Sequence, residues 1–127
     1  MSKKIINTTE APSPIGPYSQ AVSHNGLLFI SGQIPLMPDS GMMVAGNIEE
    51  QTIQVMNNLN SILKAAGSDF ENVVKTNIFL KDMNDFPKVN EVYGSYFSKN
   101  FPARETVEVS RLPKDCNVEI SMIAICP

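Results

Sequence analysis

The sequence FPARETVEVSRLPKDCNVEISMIAIC, residues 101–126, contains two segments with the alternation of a β-strand. In the first, Thr106–Ser110, valines alternate with polar residues, and in the second, Val118–Cys126, every other residue is apolar or small. Apolar spacing with a period of two and β-branched enrichment indicates strands. Between them, Leu112–Asp115 contains a proline and an aspartate, which favour a turn. This part of the chain therefore predicts two extended segments joined by a turn.

Two charged residues occupy defined places on these segments. Arg104 stands at the mouth of the first strand, and Glu119 lies between Val118 and Ile120, on the face opposite those two. A guanidinium can hold a carboxylate through two parallel hydrogen bonds. A carboxyl group desolvated within an apolar strand has a raised pKa, closer to the range useful for proton transfer. The residues predict either an anion-binding group beside an acid–base group or a cross-strand ion pair, and spacing alone favours the ion pair.

The composition is that of one globular domain over residues 1–127, since 43% of the residues are hydrophobic and 18% are charged. A formal net charge of −3 and the absence of a basic cluster make a nucleic-acid partner an unfavoured prediction. The N-terminal sequence has no apolar run typical of a signal peptide, and the longest apolar stretch is too short to span a bilayer. We therefore expect a cytoplasmic protein without a membrane segment.

The cysteines and the histidine exclude two further classes of site. Cys116 and Cys126 are ten residues apart along one extended segment, which separates them by about 30 Å and prevents a disulfide within the chain. One histidine, His24, and two separated cysteines cannot supply a metal cluster at the usual ligand spacing. No cofactor motif is present, so neither a metal nor a cofactor is expected.

Periodicity and turn residues predict the remaining elements. Apolar residues at helical spacing over Asn47–Ala66 indicate a helix, with Asn47 and Glu50 as a capping box and Gly67 as its stop. Its opposite face carries polar residues, among them Asn57, Asn58 and Asn60, and is expected to meet water. A second helix is expected over Asn84–Ser98. Strands are expected over Lys4–Asn7, Gln20–Ser23, Leu27–Ser31 (buried on both faces) and Val73–Leu80, with loops over Thr8–Pro17 and Gln33–Gly46. A turn is expected over His24–Gly26, because Asn-Gly readily takes positive φ in a two-residue hairpin.

This order of elements predicts an α+β fold in which two helices cover one face of a mixed sheet of about six strands. The other face then needs a partner, because the last strand has apolar side chains on both sides. Val118 and Ile120 lie on one side, and Ile123 and Ile125 lie on the other. Self-association is the simplest way to cover such a face.

Several separated motifs occur in order along almost the whole chain. They are Ile15–Tyr18, Phe29–Pro35, Val74–Thr76, Phe86–Asn90, Phe101–Arg104, Val107-x-Val109, Leu112–Pro113 and Val118–Ile120. Together these motifs resemble the RidA (YjgF) family. The resemblance implies the chorismate-mutase-like α+β fold and a homotrimer whose sheets pack into a central barrel. It also implies three sites, each in a cleft between subunits.

The resemblance also implies an activity. RidA proteins hydrolyse reactive 2-enamine and 2-imine acids, such as 2-aminoacrylate and 2-aminocrotonate, to 2-keto acids and ammonia. In this chain Arg104 would hold the substrate carboxylate, and Glu119 would position water and transfer protons. The other expected substrate-binding residues are Tyr18, Ser31, Gly32, Asn90 and Thr106.

One position departs from the pattern of many family members, which have a cysteine two residues after the arginine. That position is Thr106 here, so no thiol nucleophile is available there. A second acidic position of the family, two residues after its glutamate, is Ser121. Glu119 is therefore the one carboxylate expected to act in the chemistry.

Two other functions remain open from the sequence. A non-catalytic regulator would use the same cleft, with Arg104 binding a small carboxylate. An endoribonuclease or translation inhibitor is less favoured, because the chain is acidic and has only one histidine.

Overall fold

A computed structural model, which describes residues 2–127, contains one β-sheet of six strands. The strands are β1 (Lys4–Ile6), β2 (Ala21–His24), β3 (Leu27–Gln33), β4 (Val73–Leu80), β5 (Ala103–Glu108) and β6 (Val118–Ile125). They lie in the order β1-β2-β3-β6-β4-β5, and every neighbouring pair is antiparallel except β4 with β5. The sheet is therefore mixed, as expected.

Two helices, α1 (Ile48–Ala65) and α2 (Phe86–Gly94), pack on one face of this sheet. The side chains of β3, β4 and β6 that face the helices are buried beneath them, including Leu28, Ile78 and Ile120. Burying such side chains contributes roughly 1.5–3 kcal/mol each relative to leaving them exposed. The predicted α+β arrangement, with two helices on one face of a six-stranded sheet, is confirmed.

The ends of α1 follow the predicted capping pattern. The Asn47 side chain accepts a hydrogen bond from the Glu50 backbone N–H at 2.9 Å, and the Glu50 carboxylate accepts one from the Asn47 N–H at 3.3 Å. Gly67 follows the helix with a φ of +75°, a conformation that glycine adopts without steric cost. The helix predicted over Asn47–Ala66 is therefore confirmed to within one residue at each end.

The helix predicted over Asn84–Ser98 is shorter in the structure. Its first residues belong to a separate 3-10 turn, Met83–Asp85, and α2 begins at the residue before Pro87. Proline fits there because its missing N–H needs no partner in the first turn. Beyond the helix, the Phe97 ring packs edge-on against Phe70, with 5.6 Å between ring centroids. Aromatic residues continue at helical spacing beyond the end of α2 because their rings pack together in this cluster.

The two segments at the end of the chain, β5 and β6, are not neighbours in the sheet, because β4 lies between them. β5 pairs in parallel with β4, and α2 is the crossover that this pairing requires. β5 begins at Ala103, so Arg104 lies within the strand and not before it. Because β4 separates the strand of Arg104 from the strand of Glu119, the predicted alternative of a cross-strand ion pair between them is wrong.

Both predicted turns are present. Asn25 and Gly26 connect β2 to β3, and their φ angles of +52° and +80° match the two-residue hairpin turn that Asn-Gly favours. The Leu112–Asp115 segment contains a 3-10 turn in which Lys114 and Asp115 have φ angles of +56° and +54°.

The face of the sheet opposite the helices is called here the open face. Leu27 and Phe29 of β3 lie on it with exposed fractions of 37% and 44%, so the expectation that this strand is buried on both sides is wrong for a single chain. These apolar side chains continue onto β6, because Phe29 is in register with Ile123 and Leu27 with Ile125. Ile5, Val107 and Ile125 are exposed on the same face. The open face is therefore a broad apolar surface with no cover from its own chain.

Neither helix within residues 2–127 has the length and apolar character needed to cross a membrane. Over the same residues, no group of three or more histidine, cysteine, aspartate or glutamate side chains is arranged to hold a metal ion.

Candidate functional site

The Arg104 side chain is oriented by residues of α2. Its Nη1 donates a hydrogen bond to the Asn90 Oδ1 at 2.6 Å. The guanidinium carbon lies 5.1 Å from the Tyr93 ring centroid and 5.6 Å from the Phe86 ring centroid. Such cation–π contacts orient a guanidinium that stays in water, as the exposed Arg104 does. Because a guanidinium has five N–H donors, most of them remain free for an anion.

The cavity beside this guanidinium, called here the Arg104 pocket, has a volume of about 500 Å³. The Tyr93 hydroxyl donates to the Thr76 Oγ1 at 3.0 Å, which anchors the ring from within the core. Asn90 is exposed and uses its amide oxygen on Arg104, so its first role is to orient the cation. The pocket is lined by Asn90, Tyr93, Gly94, Phe101, Pro102 and Arg104.

Glu119 lines a second cavity of about 500 Å³, called here the Glu119 pocket. The side chain is half-buried, and no salt bridge within residues 2–127 involves its carboxylate. Burial raises the pKa of this carboxyl above its ordinary value of 4.5. A carboxyl group with a raised pKa is suited to accept and return a proton. The cavity is lined by Pro12, Ser13, Ile15, Tyr18, Gln20, Ser31, Gly32, Gln33, Ile34, Leu36, Pro113, Lys114 and Glu119.

The Ser31 hydroxyl can accept a hydrogen bond from a ligand in this pocket but cannot donate one. This hydroxyl donates a hydrogen bond of 2.6 Å to the Ser19 carbonyl. A hydroxyl has one proton, so the remaining lone pairs can accept from a ligand but cannot donate to it. The ionised Glu119 carboxylate is also an acceptor. The Ser31 and Glu119 side chains therefore suit an N–H group or water better than a carboxylate.

Gln20 holds the loop that forms one wall of the Glu119 pocket. Its buried side chain donates to the carbonyls of Thr8 at 3.0 Å and Pro12 at 2.9 Å, and it accepts from the Thr8 N–H at 2.8 Å. These bonds fix the start of the loop that carries Ile15 and Tyr18 over the cavity. Gln20 belongs to no motif of the sequence, so its role could not be predicted; the Pro-rich loop before it is the one sequence signal that such an anchor is needed.

The opposite wall is tied to α1. Asn58 donates through Nδ2 to the Leu36 carbonyl at 3.0 Å and to the Ile34 carbonyl at 3.4 Å. Asn58 was expected on the water-facing side of the helix, which is wrong, because it is fully buried. Both Ile34 and Leu36 line the Glu119 pocket, so α1 helps to shape it.

Thr106 lies two residues after Arg104 on the same side of β5, in register with the buried Ile78. Its Oγ1 is buried and has no hydrogen-bond partner in the chain. No thiol replaces the missing cysteine at this position, because Cys116 is buried and desolvation raises the pKa of its thiol to about 11. At neutral pH such a thiol is protonated and a poor nucleophile.

The structure divides the sequence-predicted site residues into two groups. Tyr18, Ser31, Gly32 and Glu119 line the Glu119 pocket, and Asn90 and Arg104 line the Arg104 pocket. Arg104 is in register with the buried Thr76 and contacts α2, so it lies on the helix side of the sheet. Glu119 alternates with buried residues and lies on the open face. A single chain therefore does not bring the two charged groups together.

Comparisons with known proteins bear on the identity of this arrangement. The family model described as Endoribonuclease L-PSP matches residues 8–126. A RutC family protein of Pyrococcus horikoshii is 55% identical over 122 residues, which cover 96% of this chain and 97% of that protein. The human 2-iminobutanoate/2-iminopropanoate deaminase is 50% identical over 123 residues, which cover 97% of this chain and 90% of that protein.

Solved structures give the same result. The crystal structure of Escherichia coli TdcF with bound serine superposes with a TM-score of 0.93 at 39% identity and covers 98% of this chain and 99% of that one. Sequence and structure both match over nearly the full length of each relative. The chain therefore belongs to the RidA (YjgF) family.

Proposed function

We propose that this protein hydrolyses 2-enamine and 2-imine acids to 2-keto acids and ammonia at sites formed between chains of a homotrimer. The observation that carries the proposal is a pair of complementary groups. A free, oriented guanidinium lies in one pocket, and a half-buried carboxyl group with a raised pKa lies in another. The mammalian deaminases at about 50% identity support the same activity.

Arg104 is the proposed clamp for the substrate carboxylate. Asn90 takes one N–H, and the Tyr93 and Phe86 rings restrict the plane of the guanidinium. The remaining N–H groups can form two parallel hydrogen bonds to a carboxylate. Since the substrate is then fixed at one end, its imine carbon is held in place for attack by water.

Glu119 is the proposed proton-transfer group. Its pocket contains acceptors, from Ser31 and from the carboxylate itself, which match the N–H of an imine and the protons of a water molecule. Tyr18 and Ile15 of the adjoining loop line the same pocket and are the proposed wall of the site at this end. A carboxyl group whose pKa is raised by desolvation holds its proton to a higher pH than a free carboxyl group, which suits proton transfer.

The two pockets face each other only if two chains meet. The open face exposes large apolar side chains, among them Phe29 at 44% and Ile125 at 52%, and Glu119 lies on that same face. Contiguous apolar surfaces of this kind mark association sites. A second copy of the chain that covers the open face would bring its own β5 edge, and hence Arg104, to the Glu119 pocket of the first.

The reaction needs no metal and no covalent intermediate. An enamine first takes a proton from solvent on carbon and becomes the protonated imine. Water adds to the electrophilic imine carbon and loses a proton to Glu119, which gives a neutral carbinolamine. Glu119 returns this proton to the nitrogen. As the C–N bond breaks, the carbinolamine hydroxyl loses its proton to Glu119 and then to solvent, and the 2-keto acid and ammonia are released. Thr106, whose hydroxyl is buried without a partner in the single chain, is the remaining proposed contact to the substrate.

The test is a hydrolysis assay on 2-imino acids that an amino-acid oxidase generates in place. We expect faster loss of the imine with the protein than in buffer, and loss of that acceleration in Arg104→Ala. The control is Arg111→Ala, because the Arg111 side chain is 80% exposed and pairs only with Asp115. An active Arg104→Ala variant would refute the clamp.

Binding without turnover is a second candidate function, favoured by the bound serine of E. coli TdcF. Serine carries a carboxylate of the kind that Arg104 can hold. Calorimetry with serine and with short 2-keto acids separates the two functions. Binding that depends on Arg104, without hydrolysis of any imine in the panel, would favour the regulator.

Ribonuclease activity is a third candidate, named by the description of the family model. The net charge of −3 and the single histidine argue against it. Labelled RNA incubated with the purified protein at low salt should remain intact, and specific cleavage would reopen this function.

A further inference from the structure

The backbone conformation at position 32 does not require a glycine. Gly16, Gly26, Gly41 and Gly67 have φ angles between +71° and +135°, where other residues are strained, but Gly32 is outside that region. The distinguishing feature of Gly32 is the atoms that surround it and not its φ angle.

Those atoms belong to the side chain that the proposed reaction uses. A Cβ built on Gly32 would clash with the Glu119 Oε2, and it would lie 2.8 Å from Cδ and 3.1 Å from Cγ of the same residue. Real Cβ atoms essentially never approach another heavy atom closer than 3.0 Å. The space that a side chain would fill at Gly32 is therefore occupied by the Glu119 carboxylate.

The backbone at this point cannot easily retreat. Gly32 lies in a β-bulge, because the β3–β6 register shifts by one residue between Ile30 and Gln33. Ser31 is bonded on the far side through its N–H to the Gln20 carbonyl at 2.9 Å and through its hydroxyl to the Ser19 carbonyl at 2.6 Å. Bulges often re-aim side chains next to functional sites.

We infer that Gly32 is the positioning residue of Glu119: the missing side chain leaves the space that holds the carboxylate at the wall of its pocket. With a methyl group at position 32, the carboxylate must swing out into the cavity, away from its half-buried place. That Gly32 positions the Glu119 carboxylate depends on the structure alone, whereas the effect of Gly32 on catalysis rests on the proposed function.

A thermal cycle of four proteins tests the structural part: the wild type, Gly32→Ala, Glu119→Ala and the double variant. We expect Gly32→Ala to lower the Tm of the wild type by roughly 4 °C or more and that of Glu119→Ala by less than about 1 °C. Equal shifts in the two backgrounds would overturn the inference. If Gly32→Ala alone does not fold, a folded double variant supports the inference and an unfolded one overturns it.

Gly46 provides a control for crowding of a different glutamate. A Cβ there would lie 2.9 Å from both Cδ and Oε1 and 3.0 Å from Cβ of Glu50, whose carboxylate accepts a hydrogen bond from the Asn47 N–H. Gly46→Ala should therefore lower the Tm by the same amount in the wild type and in Glu119→Ala. A Gly46→Ala loss that disappears in Glu119→Ala would overturn the inference, because the cycle would then not report the contact between Gly32 and Glu119.

The kinetic part is read from the same four proteins. Gly32→Ala should lower kcat about as far as Glu119→Ala does, roughly 100-fold, with little change in KM, and the double variant should be no slower than Glu119→Ala. Additive losses in kcat would overturn the positioning role. If no protein of the set hydrolyses an imine, the proposed function fails, and the thermal cycle still decides whether Gly32 seats the carboxylate.

Discussion

The Arg104 pocket and the Glu119 pocket hold opposite charges in opposite ways. Arg104 lies on the edge strand, stays in water, and is oriented by an amide and two aromatic rings of α2. Glu119 lies on a central strand, is half-buried, and is positioned by the shape of the space at Gly32. Orientation without desolvation keeps a cation ready to bind an anion, whereas desolvation changes the proton affinity of a carboxyl group. The first pocket is therefore suited to binding and the second to proton transfer.

The largest effect should come from keeping the two pockets apart. Phe29→Glu places a charge at the centre of the open face, where Phe29 is in register with Val22 and Ile123. We expect a monomer by analytical ultracentrifugation and loss of all imine hydrolysis, because an unpaired charge buried in an apolar interface costs several kcal/mol.

The matched control for that variant is Ile53→Glu on α1. Ile53 is exposed to 42%, close to the value for Phe29, but it lies on a helix away from the open face. This variant should assemble and react as the wild type does. A monomeric Phe29→Glu that still hydrolyses imines would show that one chain suffices.

The next effect concerns the geometry of the cation. Arg104→Lys keeps the positive charge but loses the planar fork, so it cannot form two parallel bonds to a carboxylate. We expect kcat/KM to fall roughly 100-fold, which corresponds to about 2.7 kcal/mol of transition-state stabilisation. Arg111→Lys, at an exposed position, should leave kcat/KM unchanged. Equal activity of Arg104→Lys and the wild type would mean that charge alone holds the substrate.

A smaller effect should follow from removing the hydrogen bond that orients the Arg104 guanidinium. Asn90→Ala removes the 2.6 Å hydrogen bond to Arg104 but leaves the cation and both rings in place. We expect about a 10-fold loss of kcat/KM, since one charge-assisted hydrogen bond contributes roughly 1.5 kcal/mol. Asn57→Ala, which removes an exposed amide of α1, is the control. No change in Asn90→Ala would mean that the rings alone orient Arg104.

The smallest effect is on stability and depends on pH. Burial raises the pKa of Glu119, so the folded protein keeps this proton at pH values where the unfolded chain has lost it. The contribution of Glu119 to stability therefore falls as the pH rises from its ordinary pKa of 4.5 through the raised value. Glu119→Gln should have the higher Tm at pH 7, by roughly 2 °C, and no advantage at pH 4. A wild type that is the more stable of the two at pH 7 would contradict the desolvation of this carboxyl.

The sequence was sufficient for those features that depend on local patterns. The capped helix α1, the bounds of β4 and the Asn25–Gly26 turn all match the prediction. Each is decided by neighbouring residues along the chain, through helical spacing, alternation or positive φ.

Strand order could not be read in the same way. Alternation shows that a segment is a strand, but it does not identify the neighbouring strand. The Leu112–Asp115 turn joins two extended segments as predicted, but these segments are not neighbours in the sheet, and the parallel β4–β5 pair depends on how α2 crosses it. The supporting contacts of Tyr93, Gln20 and Gly32 were also beyond the sequence, because each depends on a residue distant in the chain or on the path of a loop.

The most direct test of a site shared by two chains is complementation between two inactive variants. Arg104→Ala and Glu119→Ala are co-expressed in equal amounts, so that mixed trimers form. In each mixed trimer one of the three interfaces combines an intact Arg104 with an intact Glu119, and random mixing predicts about one quarter of the wild-type rate. No recovery above the separate variants, in trimers shown to be mixed, would contradict the account.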